Sequence, residues 1–222
     1  MKFPKKLIDT VVREVEWAEE ATITDYGKSN ITQEDIITSR LAARIQDRTN
    51  DRLGNSKLGK EWSCVVKELS NKGANSLEKK FGFDLAISIN NGPFIKTLLI
   101  QNKMGGKTSD PKRLKKQIQD MSKLSPDDKG YVGVIESDGI YLTSGVRLES
   151  HGHTNLHTMK AKDMLRIGQL VKLFLECKVG EIGLDLNKLN EFNFKVVNSK
   201  RLMQEPTKNP LVVEFTKISG TI

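Results

Sequence analysis

The sequence is short of the residues that would announce a stapled or metal-structured fold. Its 222 residues contain 2 cysteines, Cys64 and Cys177, which support neither a disulfide framework nor a zinc site. Both lie in apolar contexts and are expected in the core rather than as nucleophiles. No run approaches the ~20 apolar residues that a membrane span requires. The start, MKFPKKLID, is basic with no apolar stretch behind it. No signal peptide is therefore expected, and a reducing, cytoplasmic setting is the simple reading. Internal repeats and low-complexity segments are also lacking, which removes solenoids from consideration.

What remains is the composition of a globular protein, 37% hydrophobic and 29% charged, long enough to bury a real core. The formal net charge of +8 favours polyanionic partners without choosing one. Residues 5–20 carry an apolar stripe of Leu7, Val11, Val15 and Ala18 that predicts a helix, followed by a polar loop, TDYGKSN. Thr32 is the N-cap candidate of a second helix, with Gln33, Glu34 and Asp35 in its first turn and Ile37, Leu41 and Ile45 as its stripe. Glu34 falls on that inward stripe, whereas Asp35 points elsewhere, as a capping-box acid would. The duller role for Glu34 is that of an acid favoured by the helix dipole.

Residues 49–63 read as a loop, CVVKEL as a strand, and SNKGANSLEKKFG as a loop with a helical turn near Glu78. The stretch from Phe83 to Lys103 then carries the densest signal. Two apolar runs flank Asn91-Gly92, a tight-turn dipeptide tolerant of positive φ. Taking that dipeptide as the turn sets Asp84 opposite Leu99 and diagonally beside Gln101. Gln101 and Lys103, two residues apart on a strand, share a face. Three polar groups thus converge at the open end of an apolar hairpin.

Beyond the loop MGGKTSD, Asp110-Pro111 reads as N-cap and first residue of a helix with Leu114, Ile118 and Met121 inward. Gln117 lies on or beside that face and needs a partner there. YVGVIES and GIYLTSG form a strand pair around Asp138-Gly139, and 161–176 is expected to be helical, with Met164 on its stripe. The tail has strand-like runs, FNFKVV and LVVEF, broken by Pro206 and Pro210. The expected fold is α/β, a mixed central sheet flanked by helices. A single domain is expected, with a core over about 30–145 and a helix and strand-rich extension over about 160–222.

The hairpin residues suit phosphodiester hydrolysis. Magnesium prefers oxygen ligands from one or two carboxylates, with waters and phosphate completing the octahedron. Asp84 supplies a carboxylate, Gln101 an amide oxygen, and Lys103 a cation that orients the attacking water. Glu34 and Glu78 are the acids available to complete the shell. A structural ion pair between Asp84 and Lys103 is the alternative. His151, His153 and His157 sit in a Gly/Thr/Asn loop that lacks the regular element needed to fix ligand geometry. Trp17 and Trp62 read as packing residues.

A helix acid, then Asp84 after E-K-K-F-G-F, then about seventeen residues and a strand bearing Q-N-K at Gln101 to Lys103 resembles the PD-(D/E)XK nuclease superfamily. The departure is Gln101, where the family's second acid usually stands. The resemblance spans about residues 30–145 and implies a restriction-endonuclease-like core with a magnesium- or manganese-dependent nuclease activity on DNA, in restriction or phage defence. It implies catalytic roles for Asp84, Gln101, Lys103 and Glu34, a metal shell of Asp84, Gln101, Glu34 and Glu78, and a supporting role for Gln117. The alternative is a catalytically weak or inactive relative that binds nucleic acid or a protein partner. Lys107, Lys112, Arg113, Lys115 and Lys116 would neutralise backbone phosphates, or else form an ordinary solvated helix face. Cutting both strands calls for two sites, so a homodimer is expected on symmetry grounds. No small-molecule cofactor is evident.

Overall fold

A computed structural model describes residues 3–28, 31–69, 77–105, 110–150, 156, 159, 163–186, 189, 194–197 and 201–204. Three of the expected features, the histidines His151, His153 and His157, lie outside these residues, as do Lys107 and the LVVEF run. The chain divides into two compact units, Met1–Leu184 and Asp185–Ile222. The second contains an antiparallel pair, β8 (Phe194–Val197) and β9 (Arg201–Gln204). The first is α/β, as expected, and includes the helix expected in the extension.

Its helices are α1 (Lys5–Gly27), α2 (Glu34–Gly54), α3 (Leu77–Phe81), α4 (Pro111–Met121), α5 (Gly145–Ser150) and α6 (Ile167–Leu175). Its strands are β1 (Ser63–Glu68), β2 (Leu85–Asn90), β3 (Ile95–Met104), β4 (Tyr131–Glu136), β5 (Gly139–Ser144), β6 (Leu165–Arg166) and β7 (Glu181–Ile182). Among the described residues these form one seven-stranded mixed sheet in the order β1-β2-β3-β4-β5-β6, with β7 paired to β3. The β3–β4 pair is parallel and the others are antiparallel.

Strand alternation assigns the two faces. Leu85, Ile87, Ile89, Leu98 and Ile100 join one core with the stripes of α1, α2 and α6, including Val11, Leu41 and Phe174. Gln101 belongs to the opposite face, where the α4 side chain Gln117 reaches it. Buried Leu114, Ile118 and Met121 form the inward side of α4, and Asp110 caps it by accepting from the Lys112 amide at 2.9 Å. That helix start is as the sequence predicts.

Several expectations need correction. α1 runs on to Gly27 because Thr22, fully buried, continues the stripe four residues after Ala18. α2 begins at Glu34 with Gln33, not Thr32, as N-cap. It extends through the expected loop to Gly54, since Ile45, Thr49 and Leu53 keep the i, i+4 spacing and are buried. Met164 precedes α6 rather than joining its stripe. Cys177 is exposed, at φ 59° beyond the α6 end. Trp17 is 40% exposed beneath the Arg48 guanidinium, 3.9 Å from its ring centroid.

The hairpin turn is centred on Gly92-Pro93, with Gly92 at φ 87°, and the Asn91 amide donates to the Phe94 carbonyl at 3.0 Å. Pairing is Asn90 with Ile95 and Leu85 with Ile100. The register therefore differs by two residues from the one set by an Asn91-Gly92 turn. A shift by an even number leaves every side chain on its face, so the expected convergence survives and tightens.

Gly82 links this hairpin to α3. It ends that helix at φ 78°, and a Cβ there would lie 2.1 Å from the Gln117 carbonyl oxygen. Gly82→Ala should therefore cost about 2–4 kcal/mol, through a strained φ and a displaced α4. Urea unfolding of the full chain measures this.

Candidate functional site

The site is built where β2 begins and β3 ends, beside α3, α4 and the start of α2. Continuing the β2–β3 register by one step sets Asp84 directly across from Gln101, and the Asp84 amide donates to the Ile100 carbonyl at 3.1 Å. Gln101 is fully buried and Asp84 is 9% exposed. Gln101 Nε2 donates to Asp84 Oδ2 at 2.6 Å, and the Asn102 amide donates to both Asp84 oxygens at 3.1 Å. The carboxamide thus turns its nitrogen, not its oxygen, to the carboxylate. Its Oε1 accepts from Gln117 Nε2 at 2.9 Å.

Lys103, on the same face as Gln101, extends toward Glu34, with Nζ 3.5 Å from Oε1. The other Glu34 oxygen accepts from the Met104 amide at 3.0 Å. As first residue of α2, Glu34 combines the favourable end of the helix dipole with a strand contact 70 residues away. Glu78, from α3, accepts from Gln117 Nε2 at 3.3 Å and lies 3.7 Å from the Arg113 guanidinium. All five singled-out residues, Glu34, Glu78, Asp84, Gln101 and Lys103, and the supporting Gln117 are brought together.

Burial raises the Asp84 carboxyl well above the usual carboxylate range, against the pull of Lys103 and the Asn102 amide, while Glu34 and Glu78 push it up further. Glu78 is also raised, first by burial, with Lys103 and Arg113 opposing and Glu34 adding. Ionisation of Asp84 is therefore opposed by burial and by two neighbouring acids, and that of Glu78 by burial and by Glu34. Gln117 is 7% exposed, and its Oε1 finds no hydrogen-bond partner among the described residues. The donor set is mixed, carboxylates with carboxamides, and among the described residues no three His, Cys, Asp or Glu side chains group so as to hold a metal ion.

Asn102 and Thr38 are site residues that the sequence reading misses. Asn102 Nδ2 donates to Thr38 Oγ1 at 3.1 Å on the opposite face, tying β3 to α2. A Cβ at Gly133 would come within 2.6 Å of Asn102 Oδ1. The signal available is that Asn102 lies inside Q-N-K, with a glycine in the neighbouring strand. Of the basic helix, Lys112, Arg113, Lys115 and Lys116 are exposed. Arg113 approaches Glu78, and Lys116 pairs with Asp120. Lys79 and Lys80 of α3 are also exposed and extend that basic surface.

No family model, curated protein or solved structure matches this chain.

The raised Asp84 has a consequence for stability. An acid whose folded pKa exceeds its unfolded value of about 3.9 stabilises most below that value, and the benefit is lost as pH rises through the folded pKa. Unfolding free energy should fall across that window in the unmodified protein and fall less in Asp84→Asn. Parallel urea titrations from pH 4 to pH 9 check the difference.

Proposed function

We propose that this chain is a divalent-metal-dependent endonuclease that hydrolyses DNA phosphodiester bonds, on a restriction-endonuclease-like core of the kind its Asp84 and Q-N-K resemble. One observation carries the reading. Asp84 lies directly across from Gln101 with Lys103 on the same face, and Glu34 and Glu78 close on them from two other elements.

The oxygen donors are of the kind that magnesium and manganese take, although Asp84, Glu78 and Glu34 do not group around one point in this arrangement. Asp84 and Glu78, both raised first by burial, stand near an orphaned Gln117 oxygen, and a cation bound there would favour their charged forms. Asp84, Gln101 and Glu78 would hold the ion, with Glu34 completing the shell. When bound, such an ion polarises the phosphate and acidifies a water. A half-turn of the Gln101 carboxamide exchanges its nitrogen for its oxygen on the Asp84 side. Gln117 can match that turn because its amide carries both donor and acceptor. Lys103 orients the attacking water and offsets charge developing on the phosphate. Lys112, Arg113, Lys115 and Lys116 neutralise flanking phosphates. Two such chains arranged as a homodimer would cut both strands. The observation that favours a catalytically inactive, nucleic-acid-binding relative instead is the resting contact of the Gln101 nitrogen with Asp84.

Purified protein should nick or linearise plasmid DNA with magnesium or manganese and not with EDTA. Asp84→Ala and Lys103→Ala should each lower the cleavage rate by at least about a hundredfold while remaining folded by circular dichroism. Gln101→Glu should keep or strengthen magnesium binding, measured by calorimetry, because it restores a carboxylate. Metal-independent cleavage, or cleavage by Asp84→Ala, would overturn the reading.

Charge reversal at Lys112, Arg113 and Lys115 should weaken DNA binding. It should also flatten the slope of log K against log salt by about 0.9 for each phosphate that is no longer neutralised. Fluorescence anisotropy across a salt series reads this slope.

A further inference from the structure

The sheet face that carries Gln101 and Lys103 continues past β4 into a cavity of about 350 Å³. Val134 is the register partner of Lys103, and Tyr141 is the partner of Val134. The cavity therefore begins one strand spacing, roughly 4.8 Å, from the lysine backbone. Leu156, Met159 and Met164 complete its apolar walls, and Glu136 and Asp138 are its acidic groups. Asp138 is already engaged, accepting from the Tyr141 hydroxyl at 2.8 Å. Glu136 is half-buried and has no hydrogen-bond or ion-pair partner among the described residues. The strand end makes room for it, since a Cβ at Gly105 would lie 2.4 Å from its carboxylate carbon.

A carboxylate can only accept, and Glu136 meets no donor in this cavity among the described residues. The ligand it suits is flat, apolar on its faces and rich in adjacent donors along one edge. The carboxylate repels phosphate, so a nucleotide would enter base first and leave its phosphates to the basic surface of α4. Guanine alone among the common bases carries two adjacent donors, N1–H and the N2 amino group, on one edge. Adenine and cytosine set an acceptor beside their amino group, and thymine flanks its single donor with carbonyls. The volume lies near the lower end of the roughly 300–1,000 Å³ range for ligand sites, which suits one base. Thioethers pack well on aromatic rings.

We propose that this cavity binds an unstacked guanine, its N1–H and N2 amino donors on the Glu136 carboxylate and its ring against Met159 and Met164. The inference rests on the nuclease reading only in taking the ligand from a nucleic acid. An unpaired or everted base next to the cleavage site would then set a guanine preference there.

The test uses the full chain with ¹³C-methyl methionine, in EDTA so that no metal holds the phosphate. Guanosine 5′-monophosphate should shift the Met159 and Met164 methyl signals and leave that of buried Met121 in place. The adenosine, cytidine and thymidine monophosphates should do so at least about tenfold more weakly, and Glu136→Gln should reduce guanosine monophosphate affinity about tenfold. Guanosine binding without plasmid cleavage supports the pocket and counts against the nuclease reading. Cleavage with no methyl shift from any nucleotide overturns the pocket and leaves the nuclease reading intact. Equal shifts from all four nucleotides, or shifts only from an arginine-rich peptide or a polyamine, also overturn it.

Discussion

A carboxylate and a carboxamide face each other across β2 and β3 with almost no access to water, and this constraint shapes the structure around them. Asp84 cannot stay buried without donors, and it takes them from Gln101 and from the Asn102 amide. Gln101 is fully buried and must then satisfy its own oxygen, which fixes Gln117 and with it the position of α4. Gln117 in turn shares its amide with Glu78. One buried acid thus orders a chain of groups spanning three further elements, because each unmet polar atom would cost on the order of 1–3 kcal/mol.

The same chain ends in unmet demands. Gln117 Oε1 is orphaned, and Asp84 and Glu78 are held above their ordinary pKa range. A core selected for stability alone would have replaced these groups with apolar ones. Local conflicts of this kind are expected at functional sites, where binding or chemistry offsets what folding loses.

Elsewhere the charges of this basic chain serve the architecture. Buried Glu14 is braced by Arg13, Arg48 and Arg52, and Asp25 by Arg40 and Arg44. Buried Lys96 caps the end of α6, donating to the Phe174 and Val179 carbonyls at 2.8 and 2.6 Å. The arginines of α2 therefore belong to the helix pair. The exposed Lys79, Lys80, Lys112 and Lys115 lie on α3 and α4, the helices that supply Glu78 and Gln117 to the site. A net charge of +8 does not distinguish these uses, and only the side-chain partners do.

The sequence by itself determined the strand pair around Asp84 and Gln101, the common face of Gln101 and Lys103, and the cap and inward stripe of α4. These follow from periods of two and 3.6 residues and from short-range turn and cap chemistry, which act within a few positions. The precise turn was not legible, since Asn91-Gly92 and Gly92-Pro93 both permit tight reversal and strand pairing chooses between them. The α2 continuation to Gly54 depends on burial of Thr49 and Leu53, which no local polarity signal reports. Lys96, Asn102 and Thr38 were likewise hidden, because a buried polar residue is explained by a partner far away in the chain. Only tertiary structure decided that Glu34, Glu78 and Gln117 meet the hairpin acid, for the contacts that join them cross 16 to 70 positions. Contacts at such separations are formed by packing, and no local pattern encodes them.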